Sequence, residues 1–183
     1  MASFARFLLI ATSLAIILFI NPSAAKSRPL VTYADINTIC GKTEDQSFCS
    51  RVLTNPSLHP YETNLYGLAK ISINLALTAA YDTQQAISPL LNQAKNYKER
   101  EAYTLCSNNY KEALASVRNA NRLLAKHDYR AVRVSALSGV EEAKACESHA
   151  KINPYSALVQ KNRDFKNYCN ILWVISNRLV EYY

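Results

Sequence analysis

The clearest pattern of apolar and polar positions lies between Cys106 and Cys146. Small and apolar residues at Cys106, Tyr110, Ala113, Val117, Ala120 and Leu124 step by four, three, four, three and four, the spacing of one inward stripe on a helix. The rhythm breaks over Ala125-Lys126-His127-Asp128-Tyr129 and resumes at Val132, Ala136, Gly139, Ala143, Cys146 and Ala150. Two helices joined by a turn, the second running back along the first, satisfy this pattern. Cys106 lies 21 residues before His127 and Cys146 lies 19 after it. At about 1.5 Å of rise per residue, an antiparallel hairpin brings both cysteines to the same height on its inner stripe, where they are placed to bond.

The flanking segments carry the same period. Leu65, Leu68, Ser72, Leu75, Ala79, Thr83, Ala86 and Leu90 mark a helix within residues 61–96. Pro89 falls inside it and is expected either to kink it or to end it near Ile87, because a proline removes a backbone bond and clashes with the preceding turn at a cost of about 3 kcal/mol. Asn96-Tyr97-Lys98-Glu99-Arg100 reads as the next connection, the hairpin spans Glu101 to about Ala150, and Asn153-Pro154 closes it. A last helix from about Ser156 turns Leu158, Phe165, Cys169, Leu172, Ile175 and Leu179 inward, with Trp173 on its shoulder.

Upstream, Ile36, Ile39 and Cys40, then Gly41-Lys42-Thr43, then Phe48, Cys49, Val52 and Leu53 form a shorter unit. A bond between Cys40 and Cys49 would require the chain to fold back between Gly41 and Gln46 as a short helical hairpin. Asn55-Pro56-Ser57-Leu58-His59-Pro60 then stops helix formation twice. This piece is too small for a core of its own and is expected to clip onto the larger body. The reading is an all-α chain: an N-terminal helical hairpin extension over 26–60 and an antiparallel four-helix bundle over 61–183. No period-2 segment is long enough to suggest a sheet.

Composition agrees, since only three glycines and six prolines punctuate 183 residues. Residues 1–25 stand apart: Arg6, an apolar run of 14 residues from Phe7 to Ile20, then Asn21-Pro22 and the small Ser23, Ala24 and Ala25. That layout predicts a secretory signal cut after Ala25, the apolar run being shorter than the roughly 20 residues needed to span a bilayer. Once the signal is removed, no membrane association is expected. The cut takes one of 21 basic residues and none of the 14 acidic ones, leaving 20 against 14 and a net charge of +6. All five cysteines remain, and in an oxidising compartment disulfides are their default use. Five is odd, so one is left over.

Little in the chain is arranged for catalysis. Cys146 and His149 are near each other, but a disulfide sulfur is no nucleophile. His59 and His127 lack a second ligand at helical spacing, so no metal site is expected. Glu141 and Glu142 point to different sides of a helix, and the isolated glycines form no phosphate loop. Neither catalysis nor a cofactor is expected. Lys111, Arg118, Arg122, Lys126, Arg130 and Arg133 are spread around the hairpin, a solvated face that can also attract a polyanion. Nucleic acid is not the expected partner, because aromatic interleaving for base stacking is missing; an acidic wall polysaccharide such as pectin fits better, by weak electrostatic association.

The cysteine frame resembles that of the plant invertase and pectin methylesterase inhibitors. Ile39-Cys40-Gly41-Lys42-Thr43 with Phe48-Cys49 and Val52-Leu53 looks like the family's opening. Cys106-Ser107-Asn108-Asn109-Tyr110-Lys111-Glu112-Ala113-Leu114 looks like its third-cysteine segment, Asp128-Tyr129 stands before the next helix, and Cys146-Glu147 follows at the family interval. Cys169-Asn170-Ile171-Leu172-Trp173-Val174-Ile175-Ser176-Asn177-Arg178-Leu179 resembles the closing helix of the methylesterase branch. The resemblance implies bonds Cys40 to Cys49 and Cys106 to Cys146, a free Cys169, and a non-enzyme that occludes the active site of a wall enzyme by reversible 1:1 contact. Cys169 could alternatively bridge two chains, so a monomer or a weak dimer is expected.

The invertase branch carries an Asp-Pro-Lys-Phe connection, of which Asn96-Tyr97-Lys98-Glu99 keeps only the lysine, so pectin methylesterase is the expected target and acid invertase the alternative. A non-inhibitory module drawn to acidic pectin is a second alternative. The positions matching the branch's contact patch are Asn108, Glu112, Ala115, Arg133, Ala145 and Ser148, flanked by Lys111, and among them only Glu112 keeps a carboxylate.

Overall fold

The computed structural model describes residues 29–58, 63–149 and 157–183; the expected signal segment, His59, Ala150 and the expected stop at Asn153-Pro154 lie outside them. Six helices are present among the described residues: α1 (Tyr33–Cys40), α2 (Gln46–Leu53), α3 (Leu65–Gln93), α4 (Tyr97–Ala125), α5 (Tyr129–His149) and α6 (Ala157–Tyr182). The four long helices pack in a ring, α3 against α4, α4 against α5, α5 against α6 and α6 against α3, while the α1–α2 pair sits on α6. None of the described helices is long and apolar enough to cross a membrane.

Local chemistry sets most of the helix starts. Thr32 and Asp35 form a capping box on α1, and Asp45, Asn64 and Asn96 accept from backbone N–H groups in the first turns of α2, α3 and α4; such caps contribute about 1 kcal/mol each. Asn96 changes one boundary. Its side chain accepts from Glu99 N–H at 3.0 Å, and Glu99 reaches back to Lys95 N–H at 2.8 Å. Tyr97 to Arg100 are therefore the first turn of α4, not a connection.

Pro89 does not end α3 near Ile87; the helix continues through it to Gln93. The proline and Gln85, whose carbonyl it leaves without a helical partner, are both exposed, so water can take the freed oxygen. The inward face of α3 also differs from the expected stripe. Leu68, Ser72 and Thr83 are buried as expected, but Ala69, Ile73, Ala76, Ala80 and Ile87 complete the face, while Leu65, Leu75, Ala79 and Leu90 are only partly buried on its flank and Ala86 is half-buried. Small alanines win the central positions because α4 and α6 both press on this helix. Ser72 and Thr83 are tolerated there by donating to Leu68 and Ala79 carbonyls at 2.9 and 2.6 Å.

Helices α4, α5 and α6 bury the stripes read from the sequence, and Trp173 is half-buried at the edge. At the centre Tyr110, fully buried against Phe165 with ring centroids 5.3 Å apart, donates its hydroxyl to Asn162 Oδ1 at 2.8 Å. Asn162 in turn donates to the Ala143 carbonyl at 3.2 Å. Burial pushes the phenol's pKa up, so it remains a donor at any physiological pH, and three helices are tied through one satisfied polar line.

The α4–α5 hairpin is held at both ends. At the turn, His127 adopts φ 58°; Asp128 N–H donates to Leu123 O and His127 N–H to Leu124 O, both at 3.0 Å, the paired bonds of a Schellman ending. Asp128 then caps α5 by accepting from Ala131 N–H at 3.1 Å. At the other end Cys106 is bonded to Cys146, with Cα atoms 4.4 Å apart. Cys40 is bonded to Cys49 across the α1–α2 turn, Cα atoms 5.4 Å apart. Cys169 is free and fully buried, and burial pushes its thiol pKa up, far from the thiolate state.

The small hairpin reaches α6 through apolar and polar contacts together. Phe48 meets the edge of Tyr168 at 5.1 Å, Glu44 N–H donates to Asn170 Oδ1 at 2.9 Å, and Arg178 lies 3.7 Å from Asp35. Leu30 bridges Asn64, and Val31 N–H donates to Thr63 O at 2.7 Å, which ties the lead to the start of α3.

Three outcomes follow from this packing. Replacing Cys106 and Cys146 together by alanine should lower unfolding free energy by about 4 kcal/mol, and the Cys40/Cys49 pair by about 3 kcal/mol, on loop length alone; denaturant titration of oxidised and substituted protein measures both. A Cβ on Gly139 would stand 2.8 Å from the Cys169 sulfur and 3.5 Å from Phe165. Gly139→Ala should therefore destabilise by about 1–3 kcal/mol, and adding Cys169→Ala should recover most of that loss in a double-mutant cycle.

The third concerns acid. Asp35 is held below the usual carboxylate range chiefly by bonds from Thr32 backbone N–H and hydroxyl, with a smaller contribution from Arg178. Its stabilising contribution is fully present above the unfolded value of about 4 and is lost as pH falls through the lower folded value. Asp35→Asn should flatten that acid limb of stability against pH.

Candidate functional site

A helix turns about 100° per residue, so burying one stripe of α4 fixes which residues lie on its outer surface. Asn108, Lys111, Glu112 and Ala115 are all exposed there. Lys111 Nζ donates to Asn108 Oδ1 at 3.4 Å, one turn away. No hydrogen bond or ion pair engages the Glu112 carboxylate among the described residues, so it is available to a partner. On α5, Ala145 is half-buried and Ser148 exposed, with the serine hydroxyl donating to the Ala145 carbonyl at 2.8 Å. These six residues share the outer side of the hairpin toward its disulfide end.

Arg133 stands apart from them. It lies on the flank of α5 that faces α6, where Nη1 donates to Asn177 Oδ1 at 3.2 Å. Glu147 occupies the same flank, 3.6 Å from Lys166 of α6. The angle between residue 133 and residues 145 and 148 around the helix axis separates them, and sequence spacing from the cysteines alone did not include that angle.

Between the helices runs a polar seam that the stripe analysis passed over. Asn109 Nδ2 donates to Glu142 Oε2 at 2.8 Å, the Ser116 and Ser138 hydroxyls are 2.9 Å apart, and Asn119 Nδ2 donates to Ser135 Oγ at 3.2 Å. Arg122 Nη2 extends the line by donating to Asn119 Oδ1 at 3.2 Å. A usable signal was present: Ser116 and Ser138 each lie 11 residues from His127, and Asn119 and Ser135 each lie 8. Equal distance from the turn means facing positions in an antiparallel hairpin. Outward apolar residues were passed over as well, Leu105, Val134 and Leu137 being 37%, 63% and 46% exposed.

The arrangement offers contact and no reactive centre. Cys146 is consumed by its disulfide, Glu142 by Asn109, and Glu141 by Lys144 at 3.1 Å. His127 Nδ1 is 2.9 Å from the Tyr129 hydroxyl at the turn, and His149 is exposed at the end of α5. Among the described residues, no group of three or more His, Cys, Asp or Glu side chains could hold a metal ion. What remains is a firm surface whose floor has most of its hydrogen bonds made, the buried Asn109 Oδ1 excepted, so little ordering is left to do when a partner binds.

Comparison with known proteins points the same way. A family model described as plant invertase/pectin methylesterase inhibitor matches residues 34–175. Pectinesterase inhibitor 2 of Arabidopsis thaliana is 34% identical over 150 residues, covering 80% of this chain and 84% of that protein. The pectinesterase inhibitor of Actinidia deliciosa is 32% identical over 168 residues, 91% of this chain and 90% of that one. Among solved structures, mutant form A of a pectin methylesterase inhibitor from Arabidopsis superposes with a TM-score of 0.71 at 26% identity, over 78% of this chain and 95% of that chain. A pectin methylesterase inhibitor from Arabidopsis thaliana gives 0.61 at 25% identity, over 81% and 98%. With the family match running from α1 into α6 and these relatives covered almost end to end, the chain belongs to the plant invertase/pectin methylesterase inhibitor family.

Proposed function

We propose that this chain is a secreted, non-catalytic inhibitor of pectin methylesterase that blocks the enzyme's active-site cleft by reversible 1:1 binding in the plant cell wall. The observation that carries the reading is the outer α4–α5 face: an unpaired Glu112 carboxylate and neighbouring Asn108, Lys111, Ala115, Ala145 and Ser148 on a hairpin fixed at both ends. The relatives named above support the choice of target, being pectinesterase inhibitors. A rigid hairpin loses little conformational freedom on docking, and a carboxylate desolvated at an interface can govern affinity by several kcal/mol. The chain's unpaired cysteine is fully buried, which argues against a disulfide-bridged dimer. Its excess of basic residues over acidic ones adds a weak attraction to acidic pectin, which lies in the same compartment.

The purified mature protein should slow methanol release from pectin by a plant methylesterase and leave sucrose hydrolysis by acid invertase unchanged. Glu112→Lys should weaken inhibition by tenfold or more, about 1.4 kcal/mol per decade, while Arg133→Ala, whose guanidinium is turned to α6, should change it far less. Inertness against a panel of methylesterases would overturn the target, and full potency of Glu112→Lys would overturn the face.

A further inference from the structure

At the turn end of the bundle, the opposite end of the hairpin from the disulfide, His127, Asp128, Tyr129, Arg130, Val180 and Tyr183 line a cleft of ≈ 400 Å³. That lies within the roughly 300–1,000 Å³ range of small-ligand sites. Its wall continues as a chain of rings: Tyr66 to His127 at 5.6 Å, His127 to Tyr129 at 5.9 Å and Tyr129 to Tyr183 at 5.7 Å between centroids. His127 is the one non-glycine residue with positive φ among the described residues. Glycine adopts that backbone conformation without steric cost and histidine does not. An imidazole kept there, with Tyr66 and Tyr129 on either side, is a group fixed in place at the rim of a cleft.

Two cationic side chains at this end are unengaged. Arg130 is exposed and makes no hydrogen bond or ion pair among the described residues, and the same is true of the Lys126 side chain nearby. Asp128 is the one acidic side chain among the described residues that line the cleft, and its Oδ1 is already bound to the first turn of α5. Tyrosine rings offer apolar faces with polar tips, which match the C–H faces and hydroxyls of a pyranose ring. An unengaged guanidinium matches a carboxylate, in two parallel N–H···O bonds.

We propose that this cleft binds a uronate unit of an acidic polysaccharide, the ring lying against the exposed Tyr183, which Tyr129 backs from the core, and the carboxylate on Arg130. The proposal deepens the pectin association suggested above and rests on it, but does not depend on inhibition. Pectin acquires free carboxylates where methyl esters have been removed, so the cleft would hold the chain where a methylesterase has already worked. The Glu112 face lies toward the other end of the hairpin and remains open to the enzyme.

The test uses isotopically labelled mature protein titrated with a short oligogalacturonate, its methyl-esterified form and a neutral oligogalactan. The acid form should shift amides of residues 126–130 and 180–183 saturably, with the esterified and neutral forms at least tenfold weaker. Arg130→Gln should weaken binding about tenfold, and Arg130→Lys, which keeps the charge but loses the paired geometry, should fall between. Methylesterase inhibition should be unchanged in both variants. Shifts spread without saturation over Lys111, Arg118 and Arg122, equal binding of the neutral oligomer, or full affinity of Arg130→Gln would each overturn the site. Intact oligogalacturonate binding by a protein that fails to inhibit would instead count against the inhibitor reading alone.

Discussion

Helices α4 and α5 lie face to face because the residues between them are small and because both ends of the pair are fixed. Ala113 and Ala120 of α4 and Ala136, Gly139 and Ala143 of α5 are all buried, and small side chains on the inner sides of both helices let backbones come close. The Schellman turn with its left-handed His127 sets one end, and the Cys106–Cys146 bond sets the other. The missing side chain at Gly139 leaves room for the Cys169 sulfur and Phe165 of α6, so the inner face of the hairpin also shapes where the next helix sits.

α6 is the element on which that geometry is passed to the rest of the chain. One side carries Phe165, Cys169, Leu172 and Leu179 into the bundle, and further buried residues, Ile171 and Val174 with Asn167, widen its buried arc. Asn167 reaches toward Asp45 of α2 at 3.5 Å, and Arg178 toward Asp35 of α1. The N-terminal pair thus gains a core by borrowing one face of α6, with its own disulfide limiting the freedom it must lose. The Tyr110–Asn162–Ala143 line joins α4, α6 and α5 through groups that are all satisfied, the condition under which a buried polar connection specifies a single packing.

The side chains that could have performed chemistry are engaged elsewhere. Two cysteine pairs are oxidised and the fifth thiol is sealed in the core, while Glu141, Glu142 and Glu147 are held by Lys144, Asn109 and Lys166. What the surface presents is two differently equipped regions on one hairpin. Toward the disulfide, an unpaired carboxylate with polar and small neighbours suits a protein partner. At the turn, rings and an unpaired guanidinium suit a charged sugar. Helices of 29 and 21 residues, at about 1.5 Å per residue, keep the two regions apart.

The one-dimensional pattern was enough for everything that depends on local spacing. Stripes at three and four fix the inward residues of α4, α5 and α6, and distance from His127 pairs Ser116 with Ser138 and Asn119 with Ser135 and brings Cys106 within two residues of the height of Cys146, because antiparallel helices of regular rise advance together from the turn. It was insufficient wherever a residue answers to two neighbours at once. Packing against both α4 and α6 rotated the buried face of α3 to Ala69, Ile73, Ala76 and Ala80, and solvent on the far side let the helix continue through Pro89. Arg133 has the same spacing credentials as the hairpin's contact residues, yet α6 supplies Asn177 and turns it to the other flank. Periodicity reports how far a residue lies from the core; which neighbour it meets at that distance is settled only when the helices are assembled.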